Sequence, residues 1–260
     1  MPKISVTDLF DIYELDPGVT ALSTRRGFVA NPSDPYSGFN ACHYTGDDSR
    51  HVSACRYALC EYLGIDAGSL VIPRQTHSLD VRVVTADNIA SDFDSVDGLV
   101  TRERGVALAV NTADCVPVLL ADTVNGVIAA VHSGWRGTVG EILLDAVRKM
   151  SETGAEPRFI KAVMGPSICG GCFEVGDEVA GAFRRLWNRS DVVLERWLQS
   201  AGKYHVDLRQ ACRLTLLRAG IPECNITAAA PCSRCNSEIY FSARSLGTGS
   251  GRTLSVIMLN

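Results

Sequence analysis

Three residues far apart in the chain, His77, Cys115 and His132, each stand where a strand-like apolar run gives way to a polar one. His77 follows SLVIPRQT, Cys115 lies between VNTAD and VPVLLAD, and His132 closes GVIAAV just before the turn SGWRG. Ordered strand ends are where sheet proteins present side chains to a cleft. Two imidazoles and a thiolate make a three-ligand set for Zn²⁺ that leaves a fourth position open, as in catalytic zinc, where bound water has its pKa lowered to about 7. The spacing matches no local ligand motif such as H-E-x-x-H. Two other readings of the same residues stay open. Cys115 can be a small core residue and the histidines hydrogen-bonded edge residues. Alternatively, Cys115 is the nucleophile of a cysteine hydrolase, with His132 as its base and Asp114 or Asn111 as orienter, because a reactive thiolate needs a neighbouring imidazole.

Asp114, beside Cys115, reads as a proton shuttle, as a group orienting a ligand, or as a turn residue capping backbone N–H groups. HSGWRGTVG sets three glycines at a strand-to-helix junction, where backbone donors and Arg136 would favour an anion; a tight turn with a solvated Arg136 is the plainer reading. Cys169-Gly-Gly-Cys172 and Cys232-Ser-Arg-Cys235 each have the form of half a zinc ribbon, and together they could bind structural zinc. Against this, the pairs are far apart in sequence and belong to different elements. GTGSGR, ahead of the last apolar run, is either a phosphate-cradling loop or a flexible connection.

The elements that must position these residues follow from composition and periodicity. The chain has 260 residues, enough for a substantial core, with 21% charged residues and a formal net charge of -4. That balance offers no basic field for nucleic acid or an anionic membrane. The N-terminal stretch lacks a signal-like apolar run, so a cytoplasmic location is expected, with the ten cysteines reduced. A polar, turn-rich stretch from Ser23 to Asp48 precedes an amphipathic helix, in which Val52, Cys55, Ala58, Leu59, Tyr62 and Leu63 share a face and Gly64 supplies the stop. SLVIPRQTH, DVRVVTAD and DGLVT read as strands. GVALAV, VPVLLAD and GVIAAVH read as three strands turning quickly into one another in a sheet covered on both faces. A helix is expected over TVGEILLDAVRKMSETG, then a strand at RFIKAVMG, helices at VGDEVAGAFRRLW and DLRQACRLTLLRAG, and a closing strand at RTLSVIML. This is a mixed α/β chain.

In order along the chain, STRRG, DPYSGFN, GDD, RQTHS, VDGLVT, NTADCVPVLLAD, AAVHSGWRGT, MGPSICGGCFEVGDEV, HVDLRQA and SARSLGTGSGR resemble the pattern of the YfiH/laccase-domain family, which is unrelated to the multicopper oxidases. The T-A-D-C and H-S-G-W-R-G segments are its distinctive ones, and the resemblance spans nearly the whole chain. It implies one domain over residues 1–260, a layered α/β/β/α sandwich similar to the catalytic domain of cytotoxic necrotizing factor toxins. It also implies a catalytic metal, usually zinc, at His77, Cys115 and His132, which demotes the nucleophilic reading because a ligated thiolate is neutralised by its metal. The implied activities are phosphorolysis of adenosine, inosine and methylthioadenosine, and deamination of adenosine, with purine nucleosides and phosphate as partners.

In deamination, Asp114 would move the proton while the ring carbon bearing the exocyclic amine is attacked. In phosphorolysis, phosphate steered by Arg136 or Arg25 would attack the ribose anomeric carbon. Substrate contacts are expected from Arg25, Asn40, Gln75, Arg136 and Arg244. The chain departs from the family pattern at Gln75-Thr76-His77-Ser78, usually Q-V-H-G, at Asn40-Ala41-Cys42, usually N-L-G, and at Ala243-Arg244, usually a double arginine. The family's older label is a copper-dependent polyphenol oxidase. A His/His/Cys set tolerates copper, but the chain's five histidines, 43, 51, 77, 132 and 205, cannot supply a laccase's histidine-rich cluster. A metal-stabilised binding module without turnover is the remaining class.

Overall fold

The computed structural model describes residues 3–6, 8–187, 204–228 and 230–260. Two six-stranded sheets form its centre. The first contains β1 (Lys3–Val6), β2 (Phe10–Glu14), β3 (Val19–Thr24), β4 (Leu70–Val71), β7 (Ala107–Thr112) and β14 (Thr253–Leu259), in the order β1-β2-β3-β14-β7-β4. The second contains β5 (Val81–Val84), β6 (Gly98–Thr101), β8 (Val116–Asp122), β9 (Val127–Ser133), β10 (Lys161–Met164) and β13 (Ile226–Thr227), in the order β13-β10-β8-β9-β6-β5. A small ribbon pairs β11 (Glu174–Val175) with β12 (Tyr204–His205). The helices are α1 (Ser49–Leu63), α2 (Trp135–Val139), α3 (Ile142–Glu152), α4 (Asp177–Leu186), α5 (Leu208–Arg218) and α6 (Ala243–Leu246).

Three apolar clusters define the layers. Alternate residues of the two sheets face each other, with Leu108, Val110 and Ile257 from the first meeting Leu119, Ile128 and Ala130 from the second. The opposite face of the first sheet, including Leu22, Ala109 and Val256, is covered by Cys55 and Leu59 of α1. The opposite face of the second, including Val118, Val131 and Met164, is covered by α3, α4 and α5. The result is four layers, helix, sheet, sheet and helices. Strands buried on both faces read as continuous apolar runs rather than alternating ones, which is why GVALAV, VPVLLAD and GVIAAVH are so uniform. Each fully buried Leu, Ile or Val removes enough apolar surface from water to stabilise the fold by roughly 1.5–3 kcal/mol.

Several local expectations are met and several are corrected. α1 begins at Asp48, whose carboxylate accepts from the Arg50 and His51 amides, and ends at Gly64 in the left-handed conformation. Its buried face is Val52, Cys55, Leu59 and Cys60, while Ala58 and Tyr62 are exposed. Tyr62 packs on the Phe10 ring at 4.4 Å instead of entering the core. The helix expected over residues 138–154 is two helices, because Glu141 takes a left-handed conformation (φ 61°) between α2 and α3. Gly140 lies close to its neighbours at that break: a Cβ there would sit 3.0 Å from the Arg136 carbonyl oxygen and would displace the exposed Leu79 side chain. SLVIPRQTH supplies only the two-residue β4, since Pro73 cannot donate to a ladder. The β1–β3 meander was not read from the sequence.

The largest correction concerns VNTADCVPVLLAD. The two apolar runs are not neighbours in one sheet: β7 belongs to the first and β8 to the second. Ala113-Asp114-Cys115 is the step between layers, with Asp114 in the left-handed region (φ 87°). Asp114-Cys115 stands at the rim of the core, where the two sheets part.

Candidate metal centre

The second sheet brings three of its chain segments to one rim. β8 and β9 are antiparallel, with Val116 opposite Ser133 and Pro117 opposite His132, so Cys115 at the start of β8 lies beside the end of β9. β6 pairs with β9 on the other side, with Gly98 opposite Val131, which sets Asp97 next to His132; the His132 amide donates to the Asp97 carbonyl at 2.7 Å. The Asp97 side chain then reaches the loop carrying His77. It accepts from the backbone amides of Thr76 (3.1 Å), His77 (3.1 Å) and Ser78 (2.8 Å) and from the Ser78 hydroxyl (2.8 Å). This cradle holds His77 in the left-handed conformation (φ 60°), which non-glycine residues seldom adopt and which recurs at functional sites.

One donor atom from each of His77, Cys115 and His132 lies within 4.8 Å of the other two. Cys115 Sγ is 3.7 Å from His77 Nε2. His132 Nδ1 is engaged by Asp97 Oδ1 at 2.6 Å, leaving Nε2 for the site. A tetrahedral zinc with Zn–S of about 2.3 Å and Zn–N of about 2.0 Å holds sulfur and nitrogen about 3.5 Å apart, so the observed separation fits. Gly134 closes the back of the group. A Cβ there would lie 2.9 Å from both Cys115 Sγ and His77 Cδ2, so the ligand atoms occupy space that any other residue would fill. A carboxylate on the far nitrogen of a ligating imidazole is the usual device that fixes tautomer and ring orientation. The residues fit a metal of zinc type.

The electrostatics point the same way. Burial pushes the Cys115 thiol up, but the His132 and His77 imidazoles outweigh it and pull it down to about 6. Burial acts to lower His132, yet the Cys115 sulfur and the Asp97 carboxylate raise it to about 9. Asp97 ends below the usual carboxylate range: its burial opposes ionisation, and the His132 and Ser78 hydrogen bonds overcome it. In the metal-free protein these opposite shifts favour a thiolate–imidazolium pair, the charged sulfur being the form that binds a metal.

The group opens into a cavity of about 760 Å³, within the range of small-molecule sites. Both sheets contribute to its wall: Asn111 from β7, His132 from β9, and the connecting Asp114 and Cys115. Asp114 Oδ1 accepts from the Ser233 hydroxyl at 2.7 Å, and Oδ2 from the Arg244 backbone amide at 2.7 Å. It thus caps the first turn of α6 while also facing the cavity. The Asn111 carboxamide is buried at the wall beside the Tyr44 hydroxyl, and neither its nitrogen nor its oxygen makes a hydrogen bond of normal geometry. Trp135, Tyr44, Arg244 and Arg252 complete the parts of the lining with evident chemistry.

Of the residues expected to contact substrate, Gln75 and Arg244 line this cavity, although both Gln75 side-chain atoms are bonded to the Asn111 backbone. The other three are placed elsewhere. Arg25 lies 3.6 Å from the Asp11 carboxylate, and Asn40 is fully buried, bonded to Asp47, Cys42 and Arg252. Arg136 is exposed, its guanidinium 4.4 Å above the Trp135 ring. GTGSGR does reach the cavity, through Thr248, Gly249 and Arg252, but the Arg252 guanidinium folds onto carbonyls of its own loop. Sequence reasoning missed Asp97, which holds both histidines; Asn111 does not orient His132. The signal was available only as an aspartate ahead of a strand, in VDGLVT.

Residues 19–260 match the family model described as multi-copper polyphenol oxidoreductase laccase. The chain belongs to that family. It is 48% identical over 248 residues to adenosine deaminase RL5 from an unknown prokaryotic organism, an alignment covering 92% of this chain and 94% of that protein. It is 37% identical over 248 residues to a purine nucleoside phosphorylase of Bacteroides thetaiotaomicron, covering 92% and 90%. Among solved structures, YlmD from Geobacillus stearothermophilus superposes with a TM-score of 0.90 at 30% identity, covering 98% of each chain. No helix among the described residues is long and apolar enough to cross a membrane.

Proposed function

We propose that this family member is a zinc-dependent purine nucleoside enzyme, deaminating adenosine and phosphorolysing adenosine, inosine and methylthioadenosine. The observation that carries the reading is the convergence of His77, Cys115 and His132, with Asp97 behind them, on a cavity containing one carboxylate, Asp114. Relatives named adenosine deaminase and purine nucleoside phosphorylase support the substrate class. His77, Cys115 and His132 would hold the zinc, which when bound supplies Lewis acidity and lowers the pKa of a water at its open position.

The rest is assigned to the chain's own groups. Trp135 and Tyr44 offer rings on which a purine base stacks. The buried Asn111 carboxamide has the donor and acceptor that pair with the N7 and exocyclic amine of adenine. In deamination, Asp114 takes the proton from the attacking water and delivers it to the departing amine, its carboxylate plane fixed by Ser233 and the Arg244 amide. In phosphorolysis, Arg244, which lines the cavity, would place phosphate near the ribose, a role the sequence assigned to Arg25 or Arg136.

Two imidazoles flank the Cys115 sulfur, whereas a cysteine nucleophile needs one, so the metal reading is preferred to a hydrolase. Copper suits the same ligand types. However, only His77 and His132 of the five histidines belong to a metal-capable group among the described residues, which disfavours a multi-copper oxidase. The test is chromatography of products. Adenosine should yield inosine, and with phosphate present also adenine and ribose 1-phosphate, both lost in Cys115→Ala. Full nucleoside turnover by that variant would overturn the reading.

A further inference from the structure

Four cysteines outside this centre form a second group. The Sγ atoms of Cys169, Cys172, Cys232 and Cys235 all lie within 4.8 Å of one another, and Cys172 Sγ is 3.4 Å from Cys235 Sγ. We propose that these four thiolates hold a structural zinc ion, distinct from the ion at His77, Cys115 and His132.

The geometry of both loops supports this. Each pair has the C-x-x-C spacing of a zinc knuckle. In the first, the Cys172 and Phe173 amides turn back to the Cys169 carbonyl at 2.9 and 3.0 Å. In the second, the Asn236 amide reaches the Cys232 carbonyl at 3.1 Å. The backbone amides of Cys169 and Cys235 both point at Cys232 Sγ, at 3.3 and 3.4 Å, which favours a charged sulfur there. Four thiolates around a tetrahedral zinc, with Zn–S of about 2.3 Å, stand about 3.8 Å apart, a separation this cluster reaches with small side-chain adjustments.

Cys172 and Cys232 touch the edge of the apolar cluster of the second sheet, but core packing does not account for all four. Cys42, Cys55, Cys60 and Cys212 are buried singly in the core, whereas Cys169 and Cys172 are half-buried and Cys235 is exposed. Other contacts bring the two loops together at this point. Ser167 and Cys232 form a parallel bridge, and the Ser233 amide donates to the Ser167 carbonyl at 3.1 Å. Arg209 of α5 bonds Ser167 on one loop and the Ala230 and Pro231 carbonyls on the other. Its charge, with that of Arg234 on the Cys172 carbonyl, offsets the excess negative charge of four thiolates on one divalent ion.

The ion has a consequence for the cavity. Ser233, between the second pair, donates to Asp114 Oδ1, and the same segment leads into α6, whose Arg244 amide holds Oδ2. Stapling the loops fixes the Asp114 carboxylate; this consequence rests on the role assigned to Asp114 above, whereas the ion itself does not.

Native mass spectrometry of the full chain, purified with zinc, separates the two sites. Wild type should carry two zinc ions and Cys115→Ala one. That remaining ion should disappear in Cys115→Ala/Cys232→Ser/Cys235→Ser and be retained when Cys235→His is the only change added to Cys115→Ala, because three cysteines and a histidine still make a structural zinc set. Should the triple variant fail to fold, cobalt loaded into Cys115→Ala gives the absorption of a four-sulfur tetrahedral site if the proposal holds. Cys115→Ala protein with no bound metal, with iron in place of zinc, or with Cys172 and Cys235 joined in a disulfide overturns it. One zinc in wild type, retained by Cys115→Ala, would support this site and count against the catalytic one.

Discussion

The two cysteine-bearing groups differ in how they are assembled. The four-cysteine group consists of two local turns, each supplying two ligands three positions apart, and its four sulfurs would fill the coordination of a tetrahedral ion. The His77, Cys115 and His132 group draws one ligand from the loop between β4 and β5, one from the start of β8 and one from the end of β9, faces a cavity, and depends on Asp97 and Gly134 to hold its geometry. Saturated ligation suits a structural ion and unsaturated ligation a reactive one. The cavity group should therefore be the more sensitive to residues that are not ligands.

That contrast sets the expected order of effects. Cys115→Ala should abolish nucleoside turnover, by on the order of 10³-fold or more, corresponding to several kcal/mol of lost charge stabilisation, while leaving the four-cysteine ion in place; product chromatography and metal analysis read the two separately. Asp97→Ala removes no ligand but frees His132 and the His77 loop. It should weaken zinc at the cavity by about 10–100-fold, measured by competition with a chelator, and equal affinity in the variant would mean that the carboxylate does not position the ligands. Gly134→Ala should displace His77 or Cys115, since its Cβ would sit 2.9 Å from both, and should lower turnover without altering the four-cysteine ion.

A smaller effect concerns pH in the metal-free protein. The folded Cys115 pKa is lowered to about 6 and that of His132 raised to about 9. The Cys115 contribution to stability is lost as pH falls through about 6, and the His132 contribution is lost as pH rises through about 9. Thermal melting should therefore be highest between these values, and alkylation of Cys115 by iodoacetamide should accelerate as pH rises through about 6. Half-maximal alkylation near the ordinary thiol value would contradict the thiolate–imidazolium pair. Smallest of all is Arg136→Ala, expected to change KM for nucleoside or phosphate less than about twofold, because the side chain stacks on Trp135 in solvent; a large KM increase would return Arg136 to the site.

How much of this was legible in the sequence depends on how local the signal was. Continuous apolar runs mark β7, β8, β9 and β14, and the 3.6-residue period marks α1, α3 and α5, because these patterns are set within each element. That β7 and β8 lie in different sheets is not local: the same apolar run serves either layer, and only Asp114 with its positive φ marks the step. The C-x-x-C turns are visible as motifs, but their meeting depends on the Ser167–Cys232 bridge and on Arg209. Arg25, Asn40 and Arg136 stand in motif segments and yet point into ion pairs, buried networks or solvent. Motif membership places a residue near a site along the chain, whereas side-chain direction is fixed by the turn it occupies.

The most direct test is an anomalous difference map, collected at the zinc absorption edge, from crystals of the zinc-loaded protein. The account predicts a peak bonded to His77 Nε2, Cys115 Sγ and His132 Nε2, with its fourth position facing the Asp114 side of the cavity and free of protein ligands. An empty map there, with Cys115 and His77 turned away from each other, would contradict it.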